Sequence, residues 1–73
     1  MYIKTKENIY NFDHIAKVRI VEGKTSGCSL WFYFDNEDPK TVMSNPSREP
    51  IEKVFNRIYE GLAAGVNALV FDE

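Results

Sequence analysis

Asp13 and His14 stand side by side, and a carboxylate that orients an imidazole is the smallest unit of general acid-base chemistry near neutral pH. Sequence neighbours rarely point at each other. In a turn before a strand, Asp13 is better employed accepting local backbone N–H groups, with His14 a partly exposed turn residue. Cys28, the only cysteine, would act as a nucleophile only with a lowered pKa. The one histidine lies across a predicted hairpin from it, so a small buried or edge residue is the simpler reading. Asp35, Asn36, Glu37 and Asp38 crowd oxygen ligands together as a calcium loop does, but without its alternating spacing, its glycine and its distant bidentate glutamate. They read as a solvated turn before Pro39. Gly61 and Gly65 would be a close-packing pair only in an apolar membrane helix; here they punctuate a helix end. These residues form no convergent catalytic set, and the sequence predicts a non-enzymatic protein with no cofactor and no bound metal.

The whole chain bounds what can position any site. Its 73 residues make room for one domain, 1–73, and a chain of this size buries only roughly 60% of its unfolded surface, so the core must be dense or shared with another copy. With 44% hydrophobic and 27% charged residues the composition is that of a globular protein. A net charge of -2 argues against a protein built mainly to neutralise phosphates. A lone cysteine excludes an intramolecular disulfide and a thiolate zinc cluster, which suits a reducing compartment. The first eight residues carry charges where a secretory signal needs its apolar stretch, so no export is expected. The longest run of aliphatic and aromatic residues, Leu30-Trp31-Phe32-Tyr33-Phe34, is far below the ~20 residues that span a bilayer, and a cytoplasmic protein without a membrane partner is expected.

Ile51, Val54, Phe55, Ile58 and Leu62 fall at i, i+3, i+4, i+7 and i+11, one stripe of a helix over about 48–64, with Glu52, Lys53, Asn56, Arg57 and Glu60 on the other face. Ser47 is placed to cap its first N–H groups, Pro50 is tolerated in the first turn, and Gly65 is placed to end the helix in a left-handed conformation. Gly61 lies inside and costs about 1 kcal/mol against alanine, which weakens the last turn. Upstream, Ala16-Lys17-Val18-Arg19-Ile20 alternates as a half-buried strand does, and residues 28–35 form a second strand, aromatic-rich, across a turn from Gly23 to Gly27. Pairing Ile20 with Leu30, Val18 with Phe32 and Ala16 with Phe34 puts all six on one face. A four-residue turn, Asn36-Glu37-Asp38-Pro39, then leads to a third strand over 40–44, which sets Asp35 opposite Lys40 and Met43 beside Phe32. Residues 2–5 and 9–11 form a short hairpin, 12–15 a tight connection, and 67–71 an edge strand or docking tail. The sum is an α+β domain: a small antiparallel sheet of about 4–5 strands over about 2–44, with one C-terminal amphipathic helix packed on one face.

The pattern Ile9-Tyr10-Asn11-Phe12-Asp13-His14-Ile15, then Val18-Arg19-Ile20, an aromatic strand and a Ser-x-Glu helix start, resembles small uncharacterised proteins of Gram-positive bacteria and their phages. In these an isoleucine-x-asparagine-apolar-acidic turn precedes a strand hairpin and a C-terminal helix. The layout is also similar to small flagellar motility proteins. The likeness covers roughly residues 3–62. It implies the same sheet-plus-helix fold and a cytoplasmic location, and brings no catalytic residues with it.

With the helix committed to one face, chemistry must be sought on the other. There the register gathers Trp31 and Tyr33, with Lys17 and Arg19 on one neighbouring strand and Val42 on the other. Three readings compete. The chain's own segments cover this face, by Leu69 and Phe71 folding back or by the arginine stacking on Trp31. Alternatively it is a protein interface, above all between two copies of the chain, because tryptophan and tyrosine are favoured anchors. Or it is a weak platform for single-stranded nucleic acid, where bases stack on rings and cations follow phosphates; two cations make a thin platform. A self-associating interaction module, using this face or an edge strand, is the leading expectation.

Overall fold

In the computed structural model, which describes residues 1–25 and 27–71, the chain runs β1 (Tyr2–Lys4), β2 (Ile9–Asn11), a 3-10 turn (Phe12–His14), β3 (Ile15–Gly23), β4 (Gly27–Phe34), β5 (Lys40–Asn45), α1 (Arg48–Ala64) and β6 (Ala68–Val70). The α+β class and the terminal helix follow the sequence pattern. The expected single sheet is divided in two: β2-β1-β6 and β3-β4-β5. Thr5 turns the first hairpin by accepting the Asn8 N–H and donating to the Asn8 carbonyl, leaving strands of only three residues. The 3-10 turn, held by an Asn11 Oδ1 that accepts the Asp13 N–H, then redirects the chain. The short hairpin consequently lies over the second sheet instead of extending it. Tyr10 and Phe12 meet Phe32 edge-on, with centroids 5.2 and 5.9 Å apart.

β6 completes the first sheet. It runs parallel to β1 with Leu69 beside Ile3, and Leu69 and Phe71 are buried in the common core, so the tail is an edge strand. The expectation that these two side chains cover Trp31 is therefore replaced: they go beneath the helix. Arg57 stacks over the Phe71 ring at 5.0 Å. Ser26, Asp72 and Glu73, read as part of a turn and as a charged end, lie outside the described residues.

The helix has the predicted bounds, and Ile51, Val54 and Ile58 of its stripe are buried. Ser47 is the N-cap residue but its side chain caps nothing; its own N–H is held by Asn45 Oδ1 at 2.9 Å. Gly65, at φ 72°, closes the last turn through the Leu62 carbonyl. Gly61 serves packing: a Cβ there would lie 3.0 Å from Leu69 Cδ1, so its absence lets β6 approach. Leu62, expected in the buried stripe, is 48% exposed, because Gly61 is what faces β6 at this level. Arg48 ties the helix start to the end of β3 by bonding Glu52 and Glu22, and these partners raise its guanidinium above the ordinary arginine value.

Ile20 pairs with Leu30 and Val18 with Phe32, as the alternation predicts. Two irregularities alter the rest. Ile15 stands opposite Phe34, with Ala16 an extra residue in a bulge. On the other side Met43 pairs with Leu30 and Lys40 with Phe32, so neither Met43 beside Phe32 nor Lys40 opposite Asp35 is found. The predicted four-residue turn is longer by one residue, and Val42 is the extra residue between Thr41 and Met43. Met43 still enters the core. Gly27 has φ 81°, and a Cβ there would lie 2.5 Å from the Asn45 carbonyl oxygen and 2.6 Å from Pro46 Cα; only glycine fits where β4 starts against the end of β5.

Candidate functional site

β4 alternates strictly. Cys28, Leu30 and Phe32 point inward and are buried, while Ser29, Trp31 and Tyr33 point outward and are half-buried. Among the described residues, what packs on the second sheet does so on the inner side: α1, the first hairpin through Tyr10 and Phe12, and the Leu69–Phe71 pair all join the Phe32 core. Neither Trp31 nor Tyr33 belongs to that cluster or to the side chains packed against it. Among the described residues, the outer face is covered by no other element of the chain.

Direct pairing sets Arg19 opposite Trp31 and Lys17 opposite Tyr33, as the sequence predicts. The two rings lie 6.3 Å apart at 38°, and Lys17 Nζ sits 4.3 Å from the Tyr33 centroid. The cation that stacks is thus Lys17 on Tyr33, where the sequence suggested an arginine on Trp31. The other neighbour of Trp31 is Thr41; Val42, displaced by its bulge, is half-buried and packs against the core cluster. The outer face therefore comprises Lys17, Arg19, Trp31 and Tyr33, edged by Ser29 and Ser44, whose hydroxyls bond at 2.9 Å.

Among the described residues, those with catalytic potential do not converge. Asp13 is near the N-terminal amine of Met1, at 3.5 Å, and the local acceptor role expected of it is taken by Asn11. His14 is exposed and opens onto a polar cleft with Asp35, Glu37 and Lys40, while Cys28 is buried opposite Glu22. Glu37 pairs with Lys40 at 3.6 Å on the exposed connection. Among the described residues no three histidine, cysteine or carboxylate side chains are placed to hold a metal ion, and no helix is long and apolar enough to cross a membrane.

A second surface escaped the sequence reading. Phe55, Tyr59 and Leu62 face Phe12, Ile15 and Val18 across a groove of about 220 Å³ beside β3. Tyr59 is 70% exposed. The signal was present: Tyr59 falls four residues after Phe55 and three before Leu62, so it widens the apolar stripe along the side of the helix that carries those two. No family model, no curated relative and no solved structure matches the chain.

Proposed function

We propose that this protein is a non-enzymatic interaction module that self-associates through the outer face of the β3-β4-β5 sheet, with Trp31 and Tyr33 at the centre of the contact. The observation that carries this reading is an aromatic pair on a sheet face that no other part of the described chain covers. Large apolar patches are uncommon on the free surface of a monomer, and aromatic anchors dominate the energetics of interfaces.

Charge supports a second copy as the occupant. A twofold axis parallel to β4 lays β3 of one copy over β5 of the other, at the same end of the sheets. Lys17, near the end where residues 35–39 connect β4 to β5, then comes over the exposed Asp35, Glu37 and Asp38 of the second copy. Trp31 and Tyr33, on the central strand, meet their counterparts near the axis. Three strands spaced about 4.8 Å apart and roughly eight residues long present a projected face on the order of 400 Å². A face of this extent belongs with the small interfaces of transient complexes, and its affinity is what the concentration series measures. Single-stranded nucleic acid suits the face less well, since Lys17 already occupies one side of the Tyr33 ring and the chain carries a net charge of -2. Sedimentation velocity across a concentration series tests the proposal. The expected result is a monomer–dimer equilibrium that Trp31→Ser abolishes.

A further inference from the structure

The helix flanks the β3 edge of its sheet. β3 is an edge strand paired with β4 alone; its first residue, Ile15, donates its N–H to the Phe12 carbonyl of the 3-10 turn, and among the described residues no other element bonds the outward backbone groups from Lys17 onward. Beside that edge, where a fourth strand would lie, the helix presents Phe55, Tyr59 and Leu62, which with Ile15 and Val18 line the apolar groove. Unsatisfied N–H and C=O groups above an apolar groove are the two halves of a strand-addition site. The opposite face of the same edge carries Lys17 and Arg19. Among the described residues neither forms an ion pair, and Lys17 rests on the Tyr33 ring, so both cations lie beside the edge open to an acidic partner.

We propose that the β3 edge binds an extended segment of a partner protein in which apolar residues alternate with acidic ones. The added strand bonds the free backbone groups of β3. Because side chains alternate across a strand, its apolar set enters the groove against Tyr59 and Leu62, and its acidic set falls beside Lys17 and Arg19. A second copy of β3 fits poorly. Self-pairing brings the cations of one edge near those of the other, a repulsion that an acidic strand does not meet, and the bulge at Ala16 limits any added strand to the run from Lys17 onward. The proposal shares Lys17 and Arg19 with the self-association face but does not use the Trp31 ring, so Trp31→Ser is the variant that separates the two.

The test is a titration of the isotopically labelled full chain, followed by amide NMR shifts, with a capped seven-residue peptide alternating valine and glutamate. Saturable shifts are expected along β3 and at Phe55, Tyr59 and Leu62. The matching valine–lysine peptide, and a glutamate peptide N-methylated at alternate amides, should each bind at least roughly tenfold more weakly. Leu62→Glu, at a position 48% exposed and with an unchanged unfolding midpoint as its control, should lose a similar factor, and the double charge reversal Lys17→Glu with Arg19→Glu should transfer preference to the lysine peptide. Trp31→Ser should bind the glutamate peptide as the unaltered chain does, which separates this site from the self-association face. The proposal is overturned by equal binding of both peptides, by an absence of saturable shifts at millimolar peptide, by shifts centred on Trp31 and Tyr33, or by concentration-dependent shifts along β3 without peptide.

Discussion

The two faces of β4 differ by one residue of register and by their whole relation to folding. Leu30 and Phe32 are fully buried beneath α1 and the first hairpin, whereas Trp31 and Tyr33, their immediate neighbours, are only half-buried, on a face that nothing else in the described chain packs against. The inner face is explained by the fold itself: a chain of 73 residues needs every apolar side chain it can enclose, and both sheets and the helix converge on Phe32. The outer face has no such explanation. An aromatic pair with a stacked lysine adds little to a sheet that is already closed from the other side, which directs attention to contacts made with another molecule.

The contrast can be broken most forcefully from the inside. Phe32→Ala should cost about 3–5 kcal/mol, close to the entire stability of a domain this small, as urea denaturation would show. A loss below about 1 kcal/mol would erase the distinction between the faces. Gly27→Ala attacks the register that assigns residues to faces. A left-handed backbone and a clash with the Asn45 carbonyl should together cost at least about 2 kcal/mol, measured in the same way. Trp31→Ser, at a half-buried position packed on Tyr33, should cost about 1 kcal/mol of monomer stability, well below Phe32→Ala, while removing self-association. The smallest expected effect is that of salt. Raising ionic strength to about 0.5 M should weaken the dimer a few-fold by screening Lys17 against the 35–39 connection, with no change in the unfolding midpoint of Trp31→Ser beyond that of the unaltered chain.

Much of this was legible where local periodicity carries the information. The stripe from Ile51 to Ile58, bounded by Ser47 and Gly65, located the helix to the residue, and the alternation around Val18 and Phe32 located the central hairpin. What escaped was non-local or parity-breaking. Ala16 and Val42 are each an extra residue in a bulge, and an alternation argument has no means to see an inserted residue that is small and apolar. The division into two sheets depends on β6 crossing back to run parallel with β1, a pairing between residues 2–4 and 68–70 that no local pattern encodes. Of the candidate surface, Lys17, Arg19, Trp31 and Tyr33 come together as read, and Val42 is turned toward the core by its bulge. The β3 groove was missed because Leu62 was assigned to the buried stripe, when Gly61 is the residue that faces β6.

The most direct test of the central claim is the sedimentation-velocity mass of the unaltered chain and of Trp31→Ser, compared at matched concentrations from about 10 µM to about 1 mM. The account predicts a mass that rises toward a dimer for the unaltered chain and stays monomeric throughout for the variant. A strictly monomeric unaltered chain, or a dimer that persists without Trp31, would contradict it.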